Sequence, residues 1–250
     1  MSGHSKWATI HRQKETTDAK KGLAWTKVAN AIIVAVRQTG ITDPEKNFKL
    51  RLAIEKGRAL NMPKENIERA IFRGGGEAGK GKIEEVTYEG FGPEGIAIVC
   101  ETATDNKQRT AQEIKNIFER GGGKLVGPGS VSFLFEKTAL ITLEKPQNPQ
   151  ESILSIIDLG AEDVEEVADA IEVYTKVENL EEMKKKLTEA GFKISNFEIT
   201  MKPKTTVPIS DKETAQKVLD FLEKIEEQPD VQKVFANFDI PVELVNQLTS

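Results

Sequence analysis

The hydrophobic positions change period partway along the chain. Between residues 26 and 72 they recur at helical spacing, and beyond residue 82 they fall into short alternating or continuous runs of the kind strands make. Val28, Ala31, Ile32, Ala35 and Val36 predict a helix over Thr26–Gln38, with Gly40 as its stop. Asp43-Pro44-Glu45 reads as an N-cap followed by proline at the first helical position, opening a helix that carries Phe48, Leu52 and Ile54. Pro63 opens a third helix, through Phe72, with Ile67, Ala70 and Ile71 on one side. Residues 1–25 have no strong periodicity and read as a mobile arm or a short helix pinned at one end.

GGGEAGKGK, Gly74 to Lys82, reads as a linker. After it, Val86, Tyr88 and Phe91 lead into a turn at Gly92–Gly95 and then the apolar strand Ile96–Cys100, a hairpin with a loop longer than two residues. A helix over Arg109–Arg120 carries Ala111, Ile114, Ile117 and Phe118. A second glycine-rich loop follows over Gly121–Ser130, and Val131, Phe133 and Phe135 alternate as a strand. From Lys137 the order is strand, helix, strand, strand, helix, strand. The strands are Ala139–Leu143, Val164–Val167, Ala170–Tyr174 and Ser195–Met201, and the helices are Gln150–Leu159 and Leu180–Ala190. Asn179 and Glu182 stand in capping-box positions at the second of these helices. This βαββαβ order is the ferredoxin-like split βαβ unit. Ser210 and Glu213 form another capping box before a helix with Ala215, Val218, Leu219, Leu222 and Ile225 on its core face, and Val231, Val234 and Phe235 start a last strand. That late pair has no partner of its own, so burial demands that it pack back on residues 83–135. The expected fold class is therefore α+β multidomain: an all-helical N-terminal domain (1–80), a discontinuous α+β middle domain (81–136 and 204–250), and a ferredoxin-like domain (137–203) inserted in it.

Length and composition agree: 250 residues with 38% hydrophobic and 30% charged suit two or three domains with real cores. No apolar run approaches the ~20 residues of a membrane helix, and the N-terminus has no secretory h-region, so no membrane partner is expected. The lone Cys100 permits no intrachain disulfide and suits a reducing compartment. The expected location is the cytoplasm.

The charge changes the picture more. Residues 1–80 hold 16 Lys and Arg against 8 Asp and Glu, a net of +8, while the remainder holds 19 against 32, a net of −13. Such asymmetry points the basic part at a polyanion. Lys6, Trp7, His11, Arg12, Lys14, Lys20, Lys21, Trp25 and Lys27 interleave cations and aromatics, with His4 in the same segment. Lys and Arg supply phosphate contacts, and an indole can stack on an unpaired base. For Trp7 and Trp25 a core-anchoring role competes with stacking, because large aromatics are mostly buried. Arg73, Lys80 and Lys82 flank the first glycine-rich segment, and Arg120 and Lys124 flank the second. Lys107, Arg109 and Arg120 could extend a basic surface onto the middle domain.

The chemistry of an enzyme is missing from this pattern. Gly74-x-x-x-x-Gly79-Lys80 opens like a P-loop, but Gly81 replaces Ser/Thr, and the segment joins a helix to a strand instead of a strand to a helix. Both histidines lie in the arm with no cysteine near them in sequence, Cys100 sits in an apolar strand, and no metal-ligand spacing occurs. The expectation is a non-enzymatic protein with no catalytic residue, no metal and no cofactor.

A family resemblance rests on GHSKWATI, DAKKG, NMPKENIERAIFRGGGE, YEGFGPEGIAI, TDNKQRT, GGGKL followed by GSVSFLFE, GAEDV and FDIP, in that order over essentially the whole chain. Together they resemble the YebC family, which includes the mitochondrial translational activator of cytochrome c oxidase. The resemblance implies three domains, one inserted in another. It implies a regulator of gene expression that binds nucleic acid: a DNA-binding transcriptional regulator or, alternatively, a ribosome-associated translation factor that touches ribosomal RNA or tRNA and relieves stalling. The arm departs from the family pattern, with IHRQKETTDAK in place of a more basic run, and Gly123-Lys124 stands where GGN is usual.

Overall fold

The computed structural model describes residues 18–76, 83–167, 170–241 and 244. In chain order the elements are α1 (Asp18–Thr39), α2 (Phe48–Ala59), α3 (Lys64–Gly75), β1 (Glu84–Phe91), β2 (Ala97–Thr104), α4 (Lys107–Arg120), β3 (Lys124–Val126), β4 (Phe135–Glu144), α5 (Pro149–Asp158), β5 (Asp163–Glu166), β6 (Ala170–Thr175), α6 (Leu180–Glu189), β7 (Ile194–Pro203), β8 (Val207–Pro208), α7 (Lys212–Glu226), β9 (Val231–Ala236) and β10 (Phe238–Asp239). They fall into two compact units: the described part of Gln13–Ser132 with Gln216–Val234, and Phe133–Ala215 with the described part of Phe235–Ser250. The fold class is α+β, a helical N-terminal region followed by two sheets with their helices.

In the first unit α2 and α3 both pack on α1. Val28, Ile32, Ile33 and Val36 of α1 close over Leu50, Ile54, Met62, Ile67 and Ala70. α1 starts eight residues before the predicted Thr26, because Asp18–Gly22 tolerates a helix without adding to its apolar stripe. Gly40 ends it at φ 69°, its N–H donating to Val36 O at 2.7 Å. Asp43-Pro44-Glu45 does not open α2. Asp43 accepts from Glu45 N, and the cap is Asn47, whose side-chain oxygen accepts from Leu50 N at 3.1 Å. Asn47 takes the position because its buried amide also donates to Ala35 O, Thr39 Oγ1 and Ile41 O, tying the cap to the end of α1. α2 ends in a Schellman motif: Asn61 has φ 55°, its N–H donates to Arg58 O, and Met62 N–H donates to Gly57 O at 2.9 Å. Gly74 and Gly75 belong to α3 and not to a linker. A Cβ on Gly74 would stand 2.7 Å from Val36 Cβ, so the glycine lets α1 and α3 close on each other.

The first sheet has the order β3-β1-β2-β9. The β1–β2 hairpin runs in antiparallel register from Glu84↔Thr104 to Phe91↔Ala97, as expected of a longer-loop hairpin. β9 lies beside β2, so the late helix–strand pair does return to the earlier hairpin. Over it, Phe118 of α4 and Phe221 of α7 meet edge to face, centroids 5.3 Å apart. Glycines make the room: a Cβ on Gly90 would stand 2.3 Å from Phe118, and one on Gly121 2.1 Å from Phe221.

The predicted strand at Val131–Phe135 is instead a short 3-10 turn over Ser132–Leu134, and β4 begins only at Phe135. The reason is Glu89, which is 5% exposed and accepts from the N–H groups of Gly129, Val131 and Ser132. Those donors are held by a carboxylate and cannot join a ladder.

In the second unit the order β5-β6-β4-β7, with every pair antiparallel and α5 and α6 as the intervening helices, is the ferredoxin-like topology. Ile141 and Leu143 of β4 and Ile171 and Val173 of β6 are fully buried, as are Ile156 of α5 and Leu187 of α6. Asn179 makes no capping bond, because a 3-10 turn over Val177–Asn179 leads into α6. Asp211, not Ser210, supplies the side-chain acceptor at α7, taking Thr214 N at 2.9 Å. A two-stranded parallel pairing of β8 with β10, Val207 opposite Phe238, was not foreseen.

Candidate nucleic-acid interface

The predicted site residues separate into three groups. His4, Lys6, Trp7, His11, Arg12 and Lys14 lie outside the described residues, as do Lys80, Lys82 and the side chain of Lys20. Lys27 is partly buried, and Lys107 and Arg109 are exposed but paired with carboxylates of the fold. Lys21, Arg73, Arg120 and Lys124 are exposed.

Lys27 is half-buried and donates its ammonium to the carbonyl of Glu226 at the end of α7. Burial pulls its pKa down to about 8; the Glu226 charge opposes that shift, and nearby Lys56 adds to it. Lys107 pairs with Glu84. Arg109 bonds Asp230 at 2.7 Å and Asp105 at 3.1 Å. Asp230 in turn accepts from Thr110 Oγ1 at 2.6 Å, which bonds Thr104 Oγ1, so Arg109 belongs to a partly buried polar network that ties α4 to the residue before β9.

Arg120 ends α4, where its charge complements the helix dipole. Lys124 starts β3 just beyond the glycine turn. Neither makes an ion pair with a described residue. Gly122 turns that corner at φ 79°, whereas Gly121 and Gly123 are required by close packing, on Phe221 and on Phe91 O. Lys107 and Arg120 stand thirteen residues apart on one helix, about 20 Å at 1.5 Å per residue, so α4 presents two separated ends rather than one patch.

Arg73 is drawn into a group that sequence reasoning missed. With Arg69 one turn earlier it borders a groove of about 280 Å³ between α1 and α3, whose other walls include Gly22, Trp25, Thr26, Met62 and Asn66. The side chains of Arg69 and Arg73 make no ion pair or hydrogen bond with described residues. Trp25 takes the core-anchoring role: it packs on the helical core and donates Nε1–H to Leu60 O at 3.1 Å. The i, i+4 spacing of Arg69 and Arg73 was the signal available in the sequence for Arg69. Next to them Phe72 is 78% exposed, which a helical period alone does not reveal.

Among the described residues no group of three His, Cys, Asp or Glu side chains could hold a metal ion, and no helix is long and apolar enough to cross a membrane. Cys100 is fully buried, and burial raises its thiol pKa far above the ordinary value.

Two family models match the chain: the TACO1/YebC protein N-terminal domain over residues 5–77, and the TACO1/YebC second and third domain over residues 83–238. The chain is 47% identical to a protein of Dictyoglomus thermophilum over 251 residues, all of both chains, and 47% identical to one of Moorella thermoacetica over 99% of each; both are named "Probable transcriptional regulatory protein". A crystal structure of a conserved hypothetical protein from Aquifex aeolicus is 44% identical, covers 91% of this chain and 94% of its own, and superposes with a TM-score of 0.81. With both domain models matched and full-length relatives near half identity, this chain belongs to the TACO1/YebC family.

Proposed function

We propose that this chain is a non-enzymatic, nucleic-acid-binding regulator of gene expression, acting in the cytoplasm as a DNA-binding transcriptional regulator; the name "Probable transcriptional regulatory protein" carried by its relatives supports the regulatory part of this reading. One observation carries the reading. In a chain of net charge −5, Arg69, Arg73, Arg120 and Lys124 are exposed and lack acidic partners among the described residues, while the N-terminal 80 residues hold the excess of positive charge. Cations left uncompensated in this way lower the free energy of a polyphosphate brought near them. In this reading the arm residues Lys6, Arg12, Lys14, Lys20 and Lys21, with His4, Trp7 and His11, also contribute phosphate and base contacts. The proposed domain segments are 1–80, 81–136 with 204–250, and 137–203.

The test is fluorescence anisotropy of the full chain on duplex DNA and on RNA across a salt series. Binding whose log affinity falls with log salt is expected, with each removed phosphate contact lowering the slope by about one. Unchanged affinity and slope after charge reversal of the arm cations together with Arg73 and Arg120 overturns the reading.

A second reading, a ribosome-associated translation factor binding ribosomal RNA or tRNA, is favoured by the charge order on α3. Glu65 and Glu68 precede Arg69 and Arg73. A helix that reads the major groove does so with its N-terminal residues, and here carboxylates would meet the backbone first. Sedimentation of lysate on sucrose gradients with and without nuclease separates the two: co-migration with ribosomal particles favours translation, recovery on defined promoter fragments favours transcription.

A further inference from the structure

Phe72 is a large aromatic, 78% exposed, on a helix whose other apolar residues are buried (Ile67, Ala70) or packed partly buried against the core (Ile71). It stands three residues after Arg69 and one before Arg73, so its ring lies beside Arg69 on the helix surface. The groove on the flank of the same helix is lined by apolar Trp25, Met62 and Ala70 and by Arg69 and Arg73, with no acidic residue among its described lining. The indole N–H is already committed to Leu60 O, which leaves the ring as apolar surface. The side-chain amide of Asn66 lines the groove and has no partner among the described residues. A Cβ on Gly22 would meet no described residue within 4 Å, so no described side chain covers the groove over α1 there.

Resting on the nucleic-acid reading above, we propose that the α1–α3 groove seats one nucleotide of an unpaired strand. The base lies against Trp25 and Met62 with Asn66 at its polar edge, the flanking phosphates lie on Arg69 and Arg73, and the neighbouring base stacks on Phe72. The chemistry excludes a paired duplex as the preferred occupant. A volume of about 280 Å³ falls just short of an ordinary small-ligand pocket and admits a single base, not a base pair held in a helix. An exposed phenyl ring gains stacking energy only from a base whose face is free. Arg69 and Arg73 supply the sequence-independent attraction that every strand shares, and Phe72 supplies the preference for an unpaired one.

The experiment measures affinity of the full chain for a fluorescein-labelled 12-nucleotide oligouridylate, its deoxy counterpart and a 12-base-pair duplex DNA. Three variants are compared with the parent: Phe72→Ala, Phe72→Tyr, and Arg69→Gln with Arg73→Gln. All altered side chains are exposed, and each variant is checked for folding by circular dichroism against the parent. Phe72→Ala is expected to weaken single-strand binding about ten-fold while leaving duplex binding unchanged, and Phe72→Tyr to restore it. The double arginine variant lowers the single-strand salt slope by about 1.4, at ~0.7 per phosphate contact. Phe72→Ala binding single strands like the parent, or weakening duplex and single-strand binding equally, overturns this inference while leaving the nucleic-acid reading standing. A parent chain that binds none of the three probes overturns both.

Discussion

The ring of Phe221 occupies the place where a side chain on Gly121 would stand: a Cβ built there would lie 2.1 Å from Phe221 Cδ2 and 2.4 Å from Cε2. The glycine run after α4 is thus shaped by an aromatic pair across the unit, and only Gly122 within it needs a positive φ. Gly121→Ala forces Phe221 off Phe118 and is expected to cost about 1–3 kcal/mol, read as a fall in Tm. Gly22→Ala, in a helix and with open space around it, is expected to raise stability by about 0.5–1 kcal/mol in the same assay. If both substitutions destabilise equally, packing on Phe221 is not what requires Gly121.

Glu89 anchors the turn before β4 with one buried carboxylate. Burial pushes its pKa up, and the N–H donors of Val131, Gly129 and Ser132 more than offset that, leaving it below the usual glutamate range. A carboxyl whose folded pKa is depressed contributes stability that is present above its unfolded value and lost as pH falls through the folded one. Glu89→Ala leaves three donors without this acceptor and is expected to cost about 3 kcal/mol at neutral pH. Denaturant midpoints measured at pH 7 and in acid should show the gap between parent and variant shrinking as pH falls; a constant gap contradicts this role.

Lys27 titrates on the alkaline side. With a folded pKa of about 8 against an ordinary 10.5, the unfolded chain binds more protons between those values, so stability contributed by this group rises with pH across that window. In Lys27→Met, equilibrium unfolding between pH 8 and 10.5 should lack this rise relative to the parent. A parallel pH dependence in the two proteins would show that Lys27 is not held in a desolvated site.

The two ends of α4 should differ in nucleic-acid binding. Arg120→Gln and Lys124→Gln together are expected to lower the salt slope by about one to two, because neither cation pairs with an acidic residue among those described. Lys107→Gln, which removes a charge already paired with Glu84, is expected to change it by much less. Equal effects from the two ends would indicate that the ion pair opens when the protein binds.

How much of this was legible follows from range. Helices and strands showed because hydrophobic period is local: Ile67, Ala70 and Ile71 mark α3, and the βαββαβ order marks the ferredoxin-like unit before any sheet is seen. Caps were less legible. Asp43, Asn179 and Ser210 each matched a local capping pattern, but Asn47 capped α2 because its amide also reaches Ala35 O, a 3-10 turn led into α6, and Asp211 took the acceptor role at α7; the strand expected at Val131 likewise gave way to the turn that Glu89 holds. The glycines at 74 and 121 read locally as flexibility and are instead points of close approach.

The candidate site divides in the same way. The charge excess of the first 80 residues, the family motifs and the order of elements are sums and successions, and no folding can alter them. Which cations remain available was decided only by the tertiary structure. Arg109 is paired with Asp230, 121 positions away, and Lys27 is drawn to Glu226, 199 positions away, while Arg69 and Arg73 have no acidic partner among the described residues and stand beside an exposed Phe72. Coulomb and hydrogen-bond energies depend on distance through space, and separation along the chain does not report that distance.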